Sequence, residues 1–360
     1  MNRRNLTLLA VAAVLLLGAG IWLNAHRAGQ QTVQSGERVF PDLAAALGDV
    51  GEIRISRGDG SHTTLRRDAA GWTVVERNYP ADPARVRDLA FALANLEIVE
   101  RKTSDPANYP KLGVEAADTP TATSTLVEVV AGQKSWPLIV GKGAEGRAVY
   151  VRKPTEAASA LAEPTLSVDP DQKRWIDRLL TDLPGPQVHD ISVKPASGPA
   201  YLLKRAEPGA DLALSPVPRG RTPVSSMSTD AQAGALTSFN FDDVRAAPSP
   251  APAATDRATF RTFDGQVIEF AGRREGGKAY VSVSAQRDPA LAAQFPQPGS
   301  PTPAADAAPT RVATTPAEAA KSGAQTVERL ATRTAGVEFE IPVYKYESLF
   351  KPQEELLEKK

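Results

Sequence analysis

The sequence predicts an α+β fold, with internally duplicated antiparallel β-meanders, each carrying a packed helix, behind one transmembrane helix. Three observations predict it. An apolar run close to the N-terminus is long enough to cross a membrane. Two sets of short alternating segments resemble each other at a constant spacing. Each set is followed by apolar residues at helical spacing, which predicts a helix packed by one face.

The apolar run extends from Leu6 to Leu23 and follows the basic residues Arg3 and Arg4. A helix that rises ~1.5 Å per residue over this length just spans a hydrocarbon core of ~30 Å. Basic residues ahead of such a run favour a cytoplasmic N-terminus, and Trp22 suits the far membrane interface. We therefore expect a single-pass anchor, with the bulk of the chain outside the cytoplasm.

A cleaved signal peptide is the competing interpretation of the same run. Such a peptide needs small residues at the third and first positions before its cleavage site. Cleavage after Ala25 places Leu23 at the third position, and cleavage after Ala28 places His26 there. The uncleaved anchor is therefore favoured, and both interpretations export the rest of the chain.

The predicted duplication begins with VGEIRIS at residues 50–56, which resembles VHDISVK 138 positions later at 188–194. The same shift relates Leu65 to Leu203 and Val74 to Leu212. Each copy predicts three short strands joined by tight turns. Chance similarity among short strands is the alternative, and the constant shift argues against it.

A helix is expected after each set of strands. In the first copy Asp82 is a suitable N-cap and Pro83 fits the first helical position. The apolar residues that follow recur at helical spacing; they are Val86, Leu89, Ala90, Leu93 and Leu96. Ala233, Leu236 and Phe239 predict the corresponding helix of the second copy.

Gly141, Gly143 and Gly146 spell a literal G-x-G-x-x-G. A dinucleotide loop of this pattern needs a strand before it and a helix after it. Here WPLIV precedes it and the alternating RAVYVRK follows it, so both neighbours are predicted strands. The pattern therefore predicts a hairpin turn. The kinase alternative also fails, because the sequence lacks the H-R-D and D-F-G motifs.

Composition excludes several kinds of chemistry. The chain has 42 basic and 42 acidic residues, so it lacks the basic excess that attracts nucleic acid. It has no cysteine and only three histidines, which leaves no thiol chemistry and no histidine-rich metal site. His189 and Asp190 are neighbours on a predicted strand, where alternation should turn them to opposite faces. We predict no cofactor, no metal, no nucleotide and no enzymatic activity, with a carboxylate-only hydrolase left open.

The candidate binding residues are aromatic. Trp136 and Trp175 lie beside predicted core elements, where packing is the alternative role. Tyr344 and Tyr346 follow the alternating segment VEFEI and are predicted to be exposed on an edge strand. The expected division of the chain is residues 1–5 as cytoplasmic N-terminus, 6–23 as anchor, 24–38 as tether, 39–183 as the first half, 184–287 as the second half, 288–316 as a Pro/Ala-rich segment and 317–360 as a C-terminal helix, final strand and charged tail.

The chain resembles a bacterial family known as domain of unknown function 4340. The resemblance is carried by the N-terminal anchor, VGEIRIS, LRRDAAGWTVVE, ALANLEIVE, YPKLGV, PLIVGKGAEGRAVYVRK and KRWIDRLL. It implies an exported, membrane-tethered component that works beside ABC-type transporters of the gliding-motility kind. It implies no catalytic residues.

These observations favour a non-enzymatic, membrane-anchored periplasmic accessory or scaffold protein. Its expected partners are the inner membrane, through Leu6 to Leu23, and transporter subunits, with no nucleic acid. The alternative is a periplasmic module that binds an envelope polymer or small ligand in a groove between the two halves.

Overall fold

A computed structural model describes residues 36–295 and 326–358 of the chain. The described residues form two compact units. The first comprises residues 36–76 and 81–175, and the second comprises residues 77–80, 176–295 and 326–358. The predicted anchor at 6–23 and residues 24–35 of the predicted tether at 24–38 lie outside the described residues, whereas Glu37 and Arg38 of that tether form a strand. Among the described residues, no helix has the length and apolar character needed to cross a membrane.

The first unit is one antiparallel sheet with three α-helices. Strands are numbered along the whole chain, and those of this unit are β1 (Glu37–Arg38), β2 (Glu52–Arg57), β3 (His62–Asp68), β4 (Gly71–Val74), β6 (Glu97–Arg101), β7 (Thr125–Ala131), β8 (Lys134–Gly143), β9 (Val149–Arg152) and β10 (Ser159–Glu163). Their order in the sheet is β1-β6-β10-β9-β8-β7-β2-β3-β4. The helices are α1 (Leu43–Ala46), α2 (Pro83–Ala94) and α3 (Tyr109–Leu112).

Local sequence explains these elements. Side chains alternate across β2, so Ile53 and Ile55 are fully buried while Arg54 is exposed. The predicted start of α2 is confirmed, because the Asp82 carboxylate accepts from the backbone N–H groups of Ala84 and Arg85 at 2.9 and 3.2 Å. The predicted apolar stripe of α2 faces the core of the unit.

The second unit is also dominated by antiparallel strands. They are β5 (Tyr79–Pro80), β11 (Leu179–Thr181), β12 (Val188–Lys194), β13 (Tyr201–Lys204), β14 (Ala213–Ser215), β15 (Phe239–Asn240), β16 (Asp243–Ala246), β17 (Asp256–Thr262), β18 (Gln266–Glu275), β19 (Lys278–Arg287) and β20 (Val337–Ile341). The main sheet has the order β14-β13-β12-β17-β18-β19-β20-β16, and β11 pairs with β15. The helices are α4 (Ser226–Ala233), α5 (Pro289–Gln294), α6 (residues 326–334) and α7 (Val343–Leu349).

The two main sheets share one strand order. In the first unit it is β4-β3-β2-β7-β8-β9-β10-β6, and in the second it is β14-β13-β12-β17-β18-β19-β20-β16. A helix precedes the last strand of each series along the chain, α2 before β6 and α4 before β16. The first unit adds the short strand β1 beyond β6.

The predicted fold class is wrong, because the described chain is mostly antiparallel β-sheet with few and mostly short helices. The expected second helix shows the reason. It ends at Ala233, after which Leu236 lies in a 3-10 turn and Phe239 lies in β15. All three side chains are fully buried. Their spacing therefore records burial against a core and not one continuous helix. The predicted transmembrane helix at 6–23 lies outside the described residues and stays a prediction.

The segment after β20 also differs from the prediction. Tyr344 and Tyr346 lie in α7 and not on an edge strand. The residues that follow pack on the second unit, where Leu356 is fully buried and the N–H of Val224 donates to its carbonyl at 2.9 Å. Pro342 precedes the helix, where its ring is tolerated, and the buried side of α7 holds the helix on the sheet.

Candidate functional site

The first unit contains a groove with a volume of about 440 Å³. One wall is a face of α2 and the other is the segment that follows β10. Cavities of about 300–1,000 Å³ are typical of small-ligand sites. The groove is lined by Arg85, Asp88, Leu89, Ala92, Thr165, Ser167, Asp169, Arg174 and Trp175.

Sequence periodicity places these side chains. Arg85, Asp88 and Ala92 are three and four residues apart on α2, which puts them on one helical face. Thr165, Ser167 and Asp169 are two residues apart on the opposite wall, while Leu166 between them is buried. Two polar rows therefore face each other across the groove.

Hydrogen bonds fix the end of the groove. The backbone N–H of Asp82 donates to the carbonyl of Trp175 at 2.7 Å. The indole Nε1 of Trp175 donates to the carbonyl of Asp169 at 2.7 Å. These bonds join the start of α2 to the segment 165–175, so the two walls hold their spacing.

Charge across the groove is balanced. Two guanidinium groups, Arg85 and Arg174, face two carboxylates, Asp88 and Asp169. Arg174 Nε lies 3.5 Å from Asp169 Oδ2, and Arg85 Nε lies 3.2 Å from the N-cap carboxylate of Asp82. The groove therefore offers both donors and acceptors without a net field that would select an ion of either sign.

The predicted tryptophans occupy different places in the first unit. Trp175 lines the groove, but only 3% of its surface is exposed, so it forms the floor and presents little ring face. Trp136 is 5% exposed and lies outside the groove lining. Its Nε1 donates to Asp42 Oδ1 at 2.9 Å, and this hydrogen bond lowers the pKa of Asp42.

The predicted tyrosines are neighbours but face different surroundings. Tyr346 is buried, and its hydroxyl donates to Asp256 Oδ2 at 2.6 Å. Burial, together with the carboxylate that accepts this bond, raises the pKa of Tyr346. Tyr344 is 67% exposed, more than any other large apolar or aromatic side chain of the described residues. A ligand-binding role for any of the four aromatic residues stays a prediction.

A buried polar cluster in the second unit was missed. His189 Nδ1 lies 2.5 Å from Asp190 Oδ2, whereas alternation predicted opposite faces. The pairing of β12 with β17 shifts register between Val188 and Asp190. Such an irregularity in a strand re-aims side chains, so both residues are buried. Nothing in the sequence marks the shift.

The surroundings of this pair favour a structural role. Asp190 is fully buried, and Arg261 Nε donates to its second oxygen at 2.8 Å. The rings of Phe263 and Phe295 both lie 5.1 Å from the imidazole of His189, measured between centroids. The imidazole is therefore enclosed by aromatic rings and not presented to a cleft.

The glycine pattern lies in a hairpin, as predicted. Gly143 ends β8, and Gly146 has φ +79° in the turn to β9. Gly141 serves another purpose, because an added Cβ would lie 2.5 Å from the carbonyl oxygen of Leu112 and 2.7 Å from that of Gly113. It lets the end of α3 approach the sheet. Within the described residues, no group of three or more potential ligands could hold a metal ion.

Comparison with known families gives one match. The family described as "Domain of unknown function (DUF4340)" matches residues 72–258, just over half of the 360 residues. The match begins in the first unit and ends in the second. No curated protein and no solved structure matches the chain.

Proposed function

The chain belongs to the DUF4340 family, and from that premise we propose that it is a non-enzymatic accessory or scaffold protein of the bacterial cell envelope. In this proposal it is tethered to the inner membrane, lies mainly in the periplasm and works beside an ABC-type transporter. The apolar run of residues 6–23 behind Arg3 and Arg4 supports the location. The resemblance described above supports the transporter.

One observation carries the scaffold proposal. Helix α7 presents Val343 and Tyr344 to solvent, 41% and 67% exposed, while its other side is fixed to the second unit. The Tyr346 hydroxyl donates a hydrogen bond to Asp256, and the ring centroids of Tyr346 and Phe350 are 4.6 Å apart. Exposed aromatic residues on a rigid element are typical anchors of protein contacts. This surface supports a role in which the second unit contacts a membrane protein.

Cross-linking in intact cells tests this proposal. A photo-reactive amino acid in place of Tyr344 should cross-link a transporter subunit. The same amino acid at Val217, which is 40% exposed in the second unit, is the matched control and should not. Tyr344→Ala should reduce recovery of that subunit with the full-length chain about tenfold, as expected for loss of an aromatic anchor. Equal cross-linking at both positions, or none at Tyr344, would contradict the scaffold proposal.

A second candidate function is a binding module for an envelope polymer or small ligand. The groove beside α2 favours it, because two polar rows and a volume of about 440 Å³ suit a ligand. This groove lies within the first unit. The two functions are compatible, since one uses α7 of the second unit and the other uses α2 of the first.

A further inference from the structure

We infer that the groove beside α2 binds an uncharged, hydroxyl-rich ligand, that is, a segment of a neutral envelope glycan. This inference rests on the binding-module function proposed above and names the chemistry of its ligand. Available polar atoms, balanced charge and an exposed aromatic ring next to the groove favour such a ligand.

The groove offers polar groups in the mixture that a sugar requires. A sugar hydroxyl both donates and accepts, so it pairs with carboxylates, guanidinium groups and other hydroxyls. Asp88 supplies an acceptor, with 74% of its side chain exposed, and Arg174 supplies donors, with 66% exposed. Thr165 and Ser167 are exposed, and their hydroxyls make no hydrogen bond within the described part of the chain.

Charge argues against an ionic ligand. Each arginine of the groove has a carboxylate within 4 Å, Asp82 for Arg85 and Asp169 for Arg174. Asp88 in turn lies 3.7 Å from Arg87 Nε. A phosphate or a carboxylate-rich polymer would have to compete with these pairs, whereas a neutral hydroxyl can add to them.

Phe91 provides the apolar surface. It lies three residues after Asp88 on α2, so the two side chains are neighbours on the helix surface. Phe91 is 51% exposed, whereas Trp175 on the floor is 3% exposed. Sugar rings have apolar C–H faces that pack on accessible aromatic rings. Phe91 lies next to the groove lining, beside Asp88, so a sugar that extends from the groove past Asp88 packs on Phe91 and not on Trp175.

The second unit has the same strand order, but its segment that corresponds to the groove wall contains a helix. An open groove is therefore not a necessary result of this fold. Thr63 Oγ1 on β3 donates to Pro170 O at 2.8 Å, and Tyr201 OH on β13 donates to Lys351 O at 2.7 Å. The segments after β10 and β20 therefore attach to corresponding strands. In the second unit that segment includes α7, which packs against residues 234–236 just after α4. In the first unit the corresponding segment lines an open groove beside α2.

Titration calorimetry on the full-length chain tests the inference, in a detergent without a sugar headgroup. The probes are neutral linear glucan and N-acetylated chitin oligosaccharides, with polyphosphate and an acidic peptide as competing chemistries. We expect saturable binding of a neutral oligosaccharide. Phe91→Ala and Ser167→Ala should each weaken it about tenfold. Val99→Ala, which removes a 42% exposed apolar side chain outside the groove, should leave it unchanged.

Three outcomes would overturn the inference: binding of polyphosphate or peptide with no neutral glycan, glycan binding that survives both Phe91→Ala and Ser167→Ala, or no binding of any probe. Cross-linking at Tyr344 separates this failure from failure of the scaffold function. If that cross-link persists while no glycan binds, the groove proposal alone is lost.

Discussion

The two units have the same strand order, but different parts of the chain pack on the corresponding strands β8 and β18. Gly141 on β8 accommodates the end of α3, which lies between β6 and β7 in the sequence. Gly272 on β18 accommodates Tyr346 and Phe350, which follow β20. This strand is covered in both units, but by different connections: the one between β6 and β7 in the first unit and the one after β20 in the second. That freedom allows one unit to keep a groove where the other has a helix.

Removal of the carboxylate of Asp190 should give the largest difference in stability between the two units. Asp190→Ala leaves the buried His189 and one side of Arg261 without their partner, so we expect the second unit to lose about 3–5 kcal/mol of unfolding free energy. The corresponding residue of β2 is Glu52, which pairs with the exposed Arg54 and Arg66. Glu52→Ala should cost the first unit about 1 kcal/mol or less.

Urea denaturation can measure the two units separately. Trp72, Trp136 and Trp175 lie in the first unit and the second unit's residues include no tryptophan, so tryptophan fluorescence follows the first unit and not the second. Circular dichroism follows both. If Asp190→Ala and Glu52→Ala shift their transitions equally, the proposed difference between the fully buried Asp190 and the partly exposed Glu52 is wrong.

Alanine at Gly141 should destabilise the protein more than alanine at Gly272, because the atoms that crowd the new Cβ are less able to move at Gly141. Gly141→Ala places Cβ 2.5 Å from a backbone oxygen, which cannot move without displacing α3, so we expect a loss of about 3 kcal/mol. Gly272→Ala places Cβ 2.4 Å from the ring of Phe350, and the ring edge can shift, so we expect about 1–2 kcal/mol. Gly132→Ala is the control on the first unit, because it lacks a close neighbour although its φ of +58° adds some strain.

Fluorescence should detect the Gly141→Ala change, whereas the Gly272→Ala change should appear only in circular dichroism. If Gly141→Ala lowers the free energy of unfolding less than Gly132→Ala does, the close approach of α3 is not the reason for glycine at position 141.

The smallest expected effect concerns alkaline pH. Burial raises the pKa of Tyr201 to about 12, against about 10 in an unfolded chain. The folded state therefore holds the phenolic proton more tightly. The resulting stabilisation is complete below pH ~10 and is lost as the pH rises through ~12. Tyr201→Phe should remove this dependence and cost the second unit about 1 kcal/mol at pH 7, because Lys351 O loses its donor.

Thr63→Val is the matched variant of the first unit, where Thr63 donates to Pro170 O. It should cost a similar amount at pH 7 but leave the alkaline transition of the first unit unchanged, since threonine does not titrate there. Circular dichroism and fluorescence between pH 8 and 12 measure both. An unchanged alkaline transition of the second unit in Tyr201→Phe would assign that transition to other groups.

Local signals in the sequence predicted some elements well. The N-cap Asp82, Pro83 and the apolar stripe identified α2, and the flanking strands identified the hairpin that contains Gly146. In each case the determining interactions lie within a few residues of one another. The same locality explains why Trp175 was recognised as a packed residue but its neighbours across the groove were not.

Other features depend on contacts between distant residues. Helix α7 has seven residues and is held by the Tyr346–Asp256 bond across 90 positions, which no local pattern reveals. The register shift at Asp190 depends on the pairing of β12 with β17. The groove depends on a segment 80 residues away from α2, so the sequence could suggest Trp175 but could not place Asp88 and Ser167 together.

The position of β20 has a consequence for biosynthesis. This strand lies between β19 and β16, inside the sheet, although it is made long after both. Every strand of the first unit has been made by Glu163, so its sheet can close while the rest of the chain is still being synthesised. The second sheet has to keep a gap between β19 and β16 until residues 337–341 arrive. A nascent second unit thus exposes two unpaired strand edges for as long as residues 288–336 take to emerge, and a chaperone has that interval in which to bind them.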